Sequence, residues 1–164
     1  MERFQEYREK ARSKLKIADH MITMTYPLVQ DTRLLISVME NLFLSLTNSM
    51  ASVLYYERLF KRIPPFHDNF DSKYNMFRSK VVPRYKIDPS YVQMLNEIKD
   101  IIIQHKKSPV EFTRKDMFVI ASNTYNLKTI SVDQIKKYIA KSKLFLEEME
   151  QIVSKDEQIF GKRA

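Results

Sequence analysis

An all-α fold, an antiparallel bundle of four main helices with one short extra helix, is what this sequence predicts, on three grounds. Apolar residues recur at steps of three and four along most of the chain, the spacing that lines one face of a helix. Prolines fall between these periodic segments, where helices stop. Glycine, which hairpins and phosphate-cradling loops need for positive φ, occurs once, at Gly161. That poverty also removes the P-loop and the dinucleotide fingerprint.

Phe4, Tyr7, Ala11, Leu15, Ala18, Ile22 and Thr25 share one face of a first helix, which Pro27 is expected to end. Asp31 is the expected N-cap of a second helix, patterned through Leu34, Leu35, Val38, Leu42, Leu46, Met50, Val53 and Leu54 to about Arg62. At roughly 1.5 Å per residue it would be about 45 Å long, and its middle, apolar nearly all round, marks it as the central element. Asn41 and Asn48, one heptad apart on it, are read as helix-to-helix hydrogen bonders or register setters, and Glu40 and Glu57 as surface or lysine-paired carboxylates.

Pro64 and Pro65 then forbid helix. A short helix carries Phe70, Tyr74, Phe77 and Val81 on one face and stops at Pro83, with His67 or Asp68 as its cap. Asp88 as cap and Pro89 at the first helical position open a fourth helix through Tyr91, Met94, Leu95, Ile98, Ile101 and Ile102. Residues 106–130 have no clear period, and "MFVIAS" fits a strand, an extended stretch or a helical turn equally well. Ser131 with Gln134 forms a capping box for a last helix through Ile135, Tyr138, Ile139, Phe145, Met149 and Ile152. Residues 1–154 form a single domain on this reading, and 155–164 a frayed tail.

Cysteine is absent, which excludes disulfides and thiol chemistry and fits a reducing, cytoplasmic setting. The charged opening "MERFQEYREKARSKLK" lacks the apolar core of an export signal. The longest uncharged run, "NLFLSLTNSMASVLYY", is shorter than the ~20 apolar residues of a spanning helix, so no membrane span is expected. No His follows a carboxylate at three residues, which disfavours a di-iron bundle, and neither a metal nor a cofactor is expected.

The net charge is +8, and residues 58–86 carry +6 of it. Arg58, Lys61, Arg62, Lys73, Arg78, Lys80, Arg84 and Lys86 stand there against Asp68 and Asp71. Six aromatic residues are interleaved with them. Cations meet phosphates and rings stack on unpaired bases, so this face is the candidate surface for RNA or another polyanion. An acidic protein partner fits the same charge.

"RIPPFHDNF" at the end of the second helix, and "RKDMFVIASNTYNLKTISVDQIKKYIAKSKLFLEEMEQIV" near the end of the chain, resemble the HEPN superfamily of small helical bundles. The resemblance implies a link to RNA or nucleotides and a homodimer. It also implies, through Arg62 and His67 with four residues between them, a metal-independent ribonuclease in which Arg62 steadies phosphate and His67 moves a proton. The pair departs from the family pattern in following the second helix and in having two prolines between its members. The plain reading of the same stretch is a corner that ends one helix and caps the next.

Overall fold

The computed structural model describes residues 1–107, 110–114, 117–121 and 127–155. The fold is mostly helical, as the glycine poverty and the periodicity lead one to expect. Helix α1 (Arg3–His20) opens on a capping box in which Glu2 and Gln5 exchange bonds. It passes through a π-helical turn (Met21–Thr25) into α2 (Tyr26–Val29). Next come α3 (Leu34–Leu59) and α4 (Phe70–Met76), a second π-helical turn (Phe77–Val81) and α5 (Val82–Tyr85). Helix α6 (Pro89–Lys107), strands β1 (Val110–Arg114), β2 (Met117–Ala121) and β3 (Leu127–Ser131), and α7 (Val132–Ser154) complete the order.

Helix α3 is the centre. Leu35, Val38, Met39, Leu42, Met50, Val53 and Leu54 along it are fully buried. Its length and hydropathy meet the test for a membrane-crossing helix, and 56 % of its most apolar window is buried by the rest of the fold. Helix α1 runs antiparallel along it, from Phe4 edge-on to Tyr56 at one end to Met21 near Asn41 at the other. Between these points Ser45 Oγ donates to the Ala11 carbonyl at 2.7 Å. Helix α7 runs antiparallel to α1 through Arg12–Glu150 and Lys143–Asp19. Helix α6 runs antiparallel to α7, with Tyr91 bonded to Glu148 and Tyr138 to Glu97. Asn41 and Asn48 donate back to carbonyls four residues earlier, Ser37 and Leu44; Asn41 also reaches Met21 Sδ across to the neighbouring helical segment at 3.8 Å, whereas the Asn48 bond stays within α3.

The all-α expectation needs one correction. Part of the unreadable segment forms a three-stranded antiparallel sheet in the order β1-β2-β3, with Val110 opposite Ala121 and Met117 opposite Ser131. The central strand shows why periodicity missed it. Phe118, Val119 and Ile120 are all buried, so both faces are covered and no alternation is written into the sequence.

A second correction concerns the prolines. Pro27 and Pro83 do not stop their helices; each sits at the second position of a further turn, α2 or α5. A proline within a helix has no N–H to give and collides with the carbonyl four residues back. The chain widens just before each one, where the N–H of Tyr26 reaches Met21 O and that of Val82 reaches Phe77 O, five residues back. The helix then ends on a left-handed residue, Gln30 (φ 53) or Lys86 (φ 52). An Asp follows whose side chain accepts from the N–H two residues on, Asp31 from Arg33 and Asp88 from Ser90. Residues 21–31 and 77–88 therefore build nearly the same corner twice, the second with Ile87 added between the left-handed residue and the Asp. Asp31 is correspondingly not the N-cap of α3, which begins after a turn at Arg33.

The last helix is capped by Ser131, which accepts from Gln134 N, while the Gln134 amide donates to the Tyr138 hydroxyl, so the box expected of the pair is seen in its Ser131 half. Residues 156–164, most of the expected tail, and 108–109, 115–116 and 122–126 lie outside the described residues.

Candidate nucleic-acid interface

The corner after α3 is built closely. Lys61 takes the left-handed conformation (φ 55) that glycine usually supplies at a helix end. This lets Lys61 N donate to Arg58 O and Arg62 N to Glu57 O at 3.0 and 2.9 Å. Arg58 Nη1 reaches across to the Ile63 carbonyl at 3.3 Å, and the Ile63 side chain is buried. After the two prolines Phe66 packs on Tyr55, with ring centroids 5.2 Å apart. His67 N then donates to Ser72 Oγ, and Asn69 caps α4 by accepting from Ser72 N at 2.8 Å. The cap is thus Asn69 and not His67 or Asp68, because Asn69 is the residue placed three before an open helical N–H. Asp68 pairs with Lys73 at 2.5 Å and with Arg3 at 3.9 Å, and these cations hold its carboxyl below the ordinary carboxylate range.

Arg62 and His67 have different surroundings. The His67 ring is exposed beside the start of α4. The Arg62 guanidinium lies over Phe60, at 4.8 Å from the ring centroid, and turns to the carboxylate of Glu57, with Nη1 3.7 Å from Oε1.

Glu57 is the unexpected member of this end of the molecule. The sequence reading puts it at the surface or beside a lysine; it is instead fully buried, near the end of the central helix, and faces arginines. Tyr85 donates its hydroxyl to Oε1, and Arg84 Nε stands 3.8 Å from Oε2. A buried carboxylate demands such company, because isolated charge is costly away from water. Burial, together with the bond to Glu57, pushes the Tyr85 phenol up and keeps its proton. Lys155, at the end of α7, covers the Tyr85 ring at 5.2 Å. The C-terminal ends of α3, α5 and α7 therefore gather at one pole of the molecule.

Among the described residues this pole carries Lys61, Arg62, Arg84, Lys86 and Lys155; Glu57 faces two of them, and Glu2 lines a shallow cleft with Lys61. Three helix C-termini add about half a negative charge each. Cations outnumber carboxylates there among the described residues.

The eight basic residues of the 58–86 stretch divide. Lys61, Arg62, Arg78, Lys80, Arg84 and Lys86 are exposed, whereas Arg58 and Lys73 are partly buried. Arg58 serves the Ile63 carbonyl, and Lys73 serves Asp68 and the rings of Tyr7 and Tyr55. The aromatic residues of the stretch are mostly used for packing. Phe77 is buried against Phe145, and Phe70 stacks on Tyr74 at 5.5 Å and meets Phe43 at 5.6 Å. Arg3 lies 4.2 Å over Tyr55, which itself stacks on Tyr7; burial first, then Tyr7, pushes the Tyr55 phenol up to about 12. Arg3 and Lys155 are the cations that a run-by-run count of charge misses, since they come to this region from opposite ends of the described chain.

A cleft of about 760 Å3 lies elsewhere, between α1 and α7, lined by Leu15, Ile17 and Leu146 and by the charges of Arg12, Asp19 and Lys143 among others. It contains none of the sequence-predicted site residues. No group of three or more His, Asp and Glu side chains able to hold a metal ion is found among the described residues. Set against protein-family models, curated proteins and solved structures, the chain matches none of them.

Proposed function

We propose that the chain is an RNA-binding module that engages the phosphate backbone of a single strand through the pole formed by the ends of α3, α5 and α7. Its scaffold, on this reading, is the antiparallel bundle of α1, α3, α6 and α7. The observation that carries the reading is the gathering of exposed cations from three separate stretches of chain at one pole, where Arg62 and Arg84 face a buried carboxylate and Lys155 covers the tyrosine bonded to it. Pairing Glu57 needs one of them; the excess charge, held on exposed side chains, calls for an anion from outside. Lys80 and Arg78 extend the same exposed charge along the chain before α5. The aromatic packing described above argues that phosphate contacts, rather than base stacking, supply the affinity.

Cleavage of RNA by Arg62 and His67 is the weaker reading. The Arg62 guanidinium faces Glu57, and the corner that holds it has a complete structural use.

The test follows fluorescence anisotropy and fragment length of a labelled single-stranded RNA together, between about 50 and 200 mM salt. Binding that weakens with salt at a slope of about −0.7 per phosphate contacted, with the RNA left intact, is the expected result. Absence of binding at the lowest salt overturns the reading and turns attention to an acidic protein. Fragments that vanish in His67→Ala make the chain a ribonuclease.

A further inference from the structure

From this placement we infer that Arg62, Arg84 and Lys155 form a subsite for a terminal phosphate, the phosphomonoester at the end of an RNA strand. The inference rests on the RNA-binding reading for the strand, though not for the phosphate.

The two guanidiniums approach different oxygens of one carboxylate, Arg62 towards Oε1 at 3.7 Å and Arg84 towards Oε2 at 3.8 Å. Both distances exceed a hydrogen bond, so Glu57 acts on the arginines by charge, and Arg62 is held in addition by a side-chain hydrogen bond to Tyr56. Glu57 Oε2 accepts no hydrogen bond among the described residues. The arginine side chains are 30 % and 46 % exposed, so both reach solvent as well as Glu57. Lys155 joins them over Tyr85, whose hydroxyl is committed to Glu57.

Three cations and one buried anion make a compact source of positive charge, and not a track. A phosphodiester presents one charge and two free oxygens. A monoester presents about −1.5 to −2 near pH 7 and three free oxygens, which suits two planar forks and a point-like ammonium. On this reading the exposed Lys80 and Lys86 meet internal phosphates, while the Glu57 cluster takes the end.

The experiment compares two RNAs of about ten nucleotides and identical sequence, one with a 5′-phosphate and one with a 5′-hydroxyl, each labelled at the 3′ end. A nucleoside 5′-monophosphate is titrated separately. The phosphorylated strand is expected to bind about tenfold more tightly. That ratio should fall towards one in Lys155→Ala, an exposed change that leaves the core alone, and in Arg84→Lys, which keeps the charge and loses the fork. Lys80→Ala should weaken both strands and leave the ratio intact, with circular dichroism confirming that each variant folds. Equal affinity of the two strands for the unaltered protein overturns the subsite and leaves the RNA reading standing. A ratio that survives both subsite variants overturns it as well. Binding of the 5′-monophosphate and the phosphorylated strand, with none of the hydroxyl strand, supports the subsite and sinks backbone binding. If nothing binds, both fall.

Discussion

Replacing Glu57 with glutamine keeps the shape of the side chain and removes the charge that two guanidiniums face. Breaking a buried ion pair costs about 3–5 kcal/mol, but Arg62 and Arg84 are partly exposed and can relax into water, so a loss of about 1–3 kcal/mol is expected for Glu57→Gln in urea unfolding. Tyr85→Phe removes one hydroxyl from the same oxygen and should cost about 1–2 kcal/mol. The tyrosines also set an upper pH limit. Burial is the first cause that pushes Tyr55, Tyr85, Tyr91 and Tyr138 up from the ordinary 10.0, Tyr55 to about 12. The folded chain thus holds these phenolic protons more tightly than the unfolded chain does. Their contribution to stability is complete below pH 10 and declines as pH rises towards 12, which a series of urea midpoints across that window would show. A flat profile there would refute the coupling. Little of this site can be read from the chain. Arg62 is near Glu57 in sequence, but Arg84, Tyr85 and Lys155 are not, and no periodicity links them.

At the scale of elements, the twice-built corner explains both what the sequence shows and what it hides. The prolines are visible and are rightly read as disturbances. Their position inside a helix is not, because a π-turn leaves no composition signature and the left-handed exits fall on Gln30 and Lys86 rather than on glycine. Those exits should be strained. Gln30→Gly is expected to stabilise the fold by about 0.5–1 kcal/mol, since relief of the left-handed penalty exceeds the entropy glycine adds to the unfolded chain; a loss of stability in thermal or urea unfolding would contradict the geometry. The caps are legible only in part: Asn69 and the start of α3 escape the sequence, and Ser131 does not. Ser131 was found from its capping box, and Ser131→Ala should cost about 1 kcal/mol by the same measurement. The sheet was not, for a physical reason: Phe118, Val119 and Ile120, buried in succession, would read the same in a helical turn.

The whole molecule keeps the charge imbalance that the composition announces, and arranges it. Sequence reading located most of the exposed cations because they lie within 29 residues of one another, and missed Lys155 because only folding brings the end of α7 to the end of α5. If the pole binds RNA, Lys61→Ala together with Lys86→Ala should reduce the slope of log affinity against log salt by about 1.4 units, and an unchanged slope would remove both residues from the interface.

The gathering of three helix ends and five cations at one pole also bears on how encounters begin. Charge displaced to one end gives the protein a permanent moment, and in the field of any polyanion it feels a torque before it feels contact. It should therefore arrive pole first, with fewer wasted collisions than a uniformly charged protein of the same net charge. Stopped-flow association would register this as a rate that falls with added salt as the Debye length shrinks from about 30 Å at 0.01 M to about 10 Å at 0.1 M.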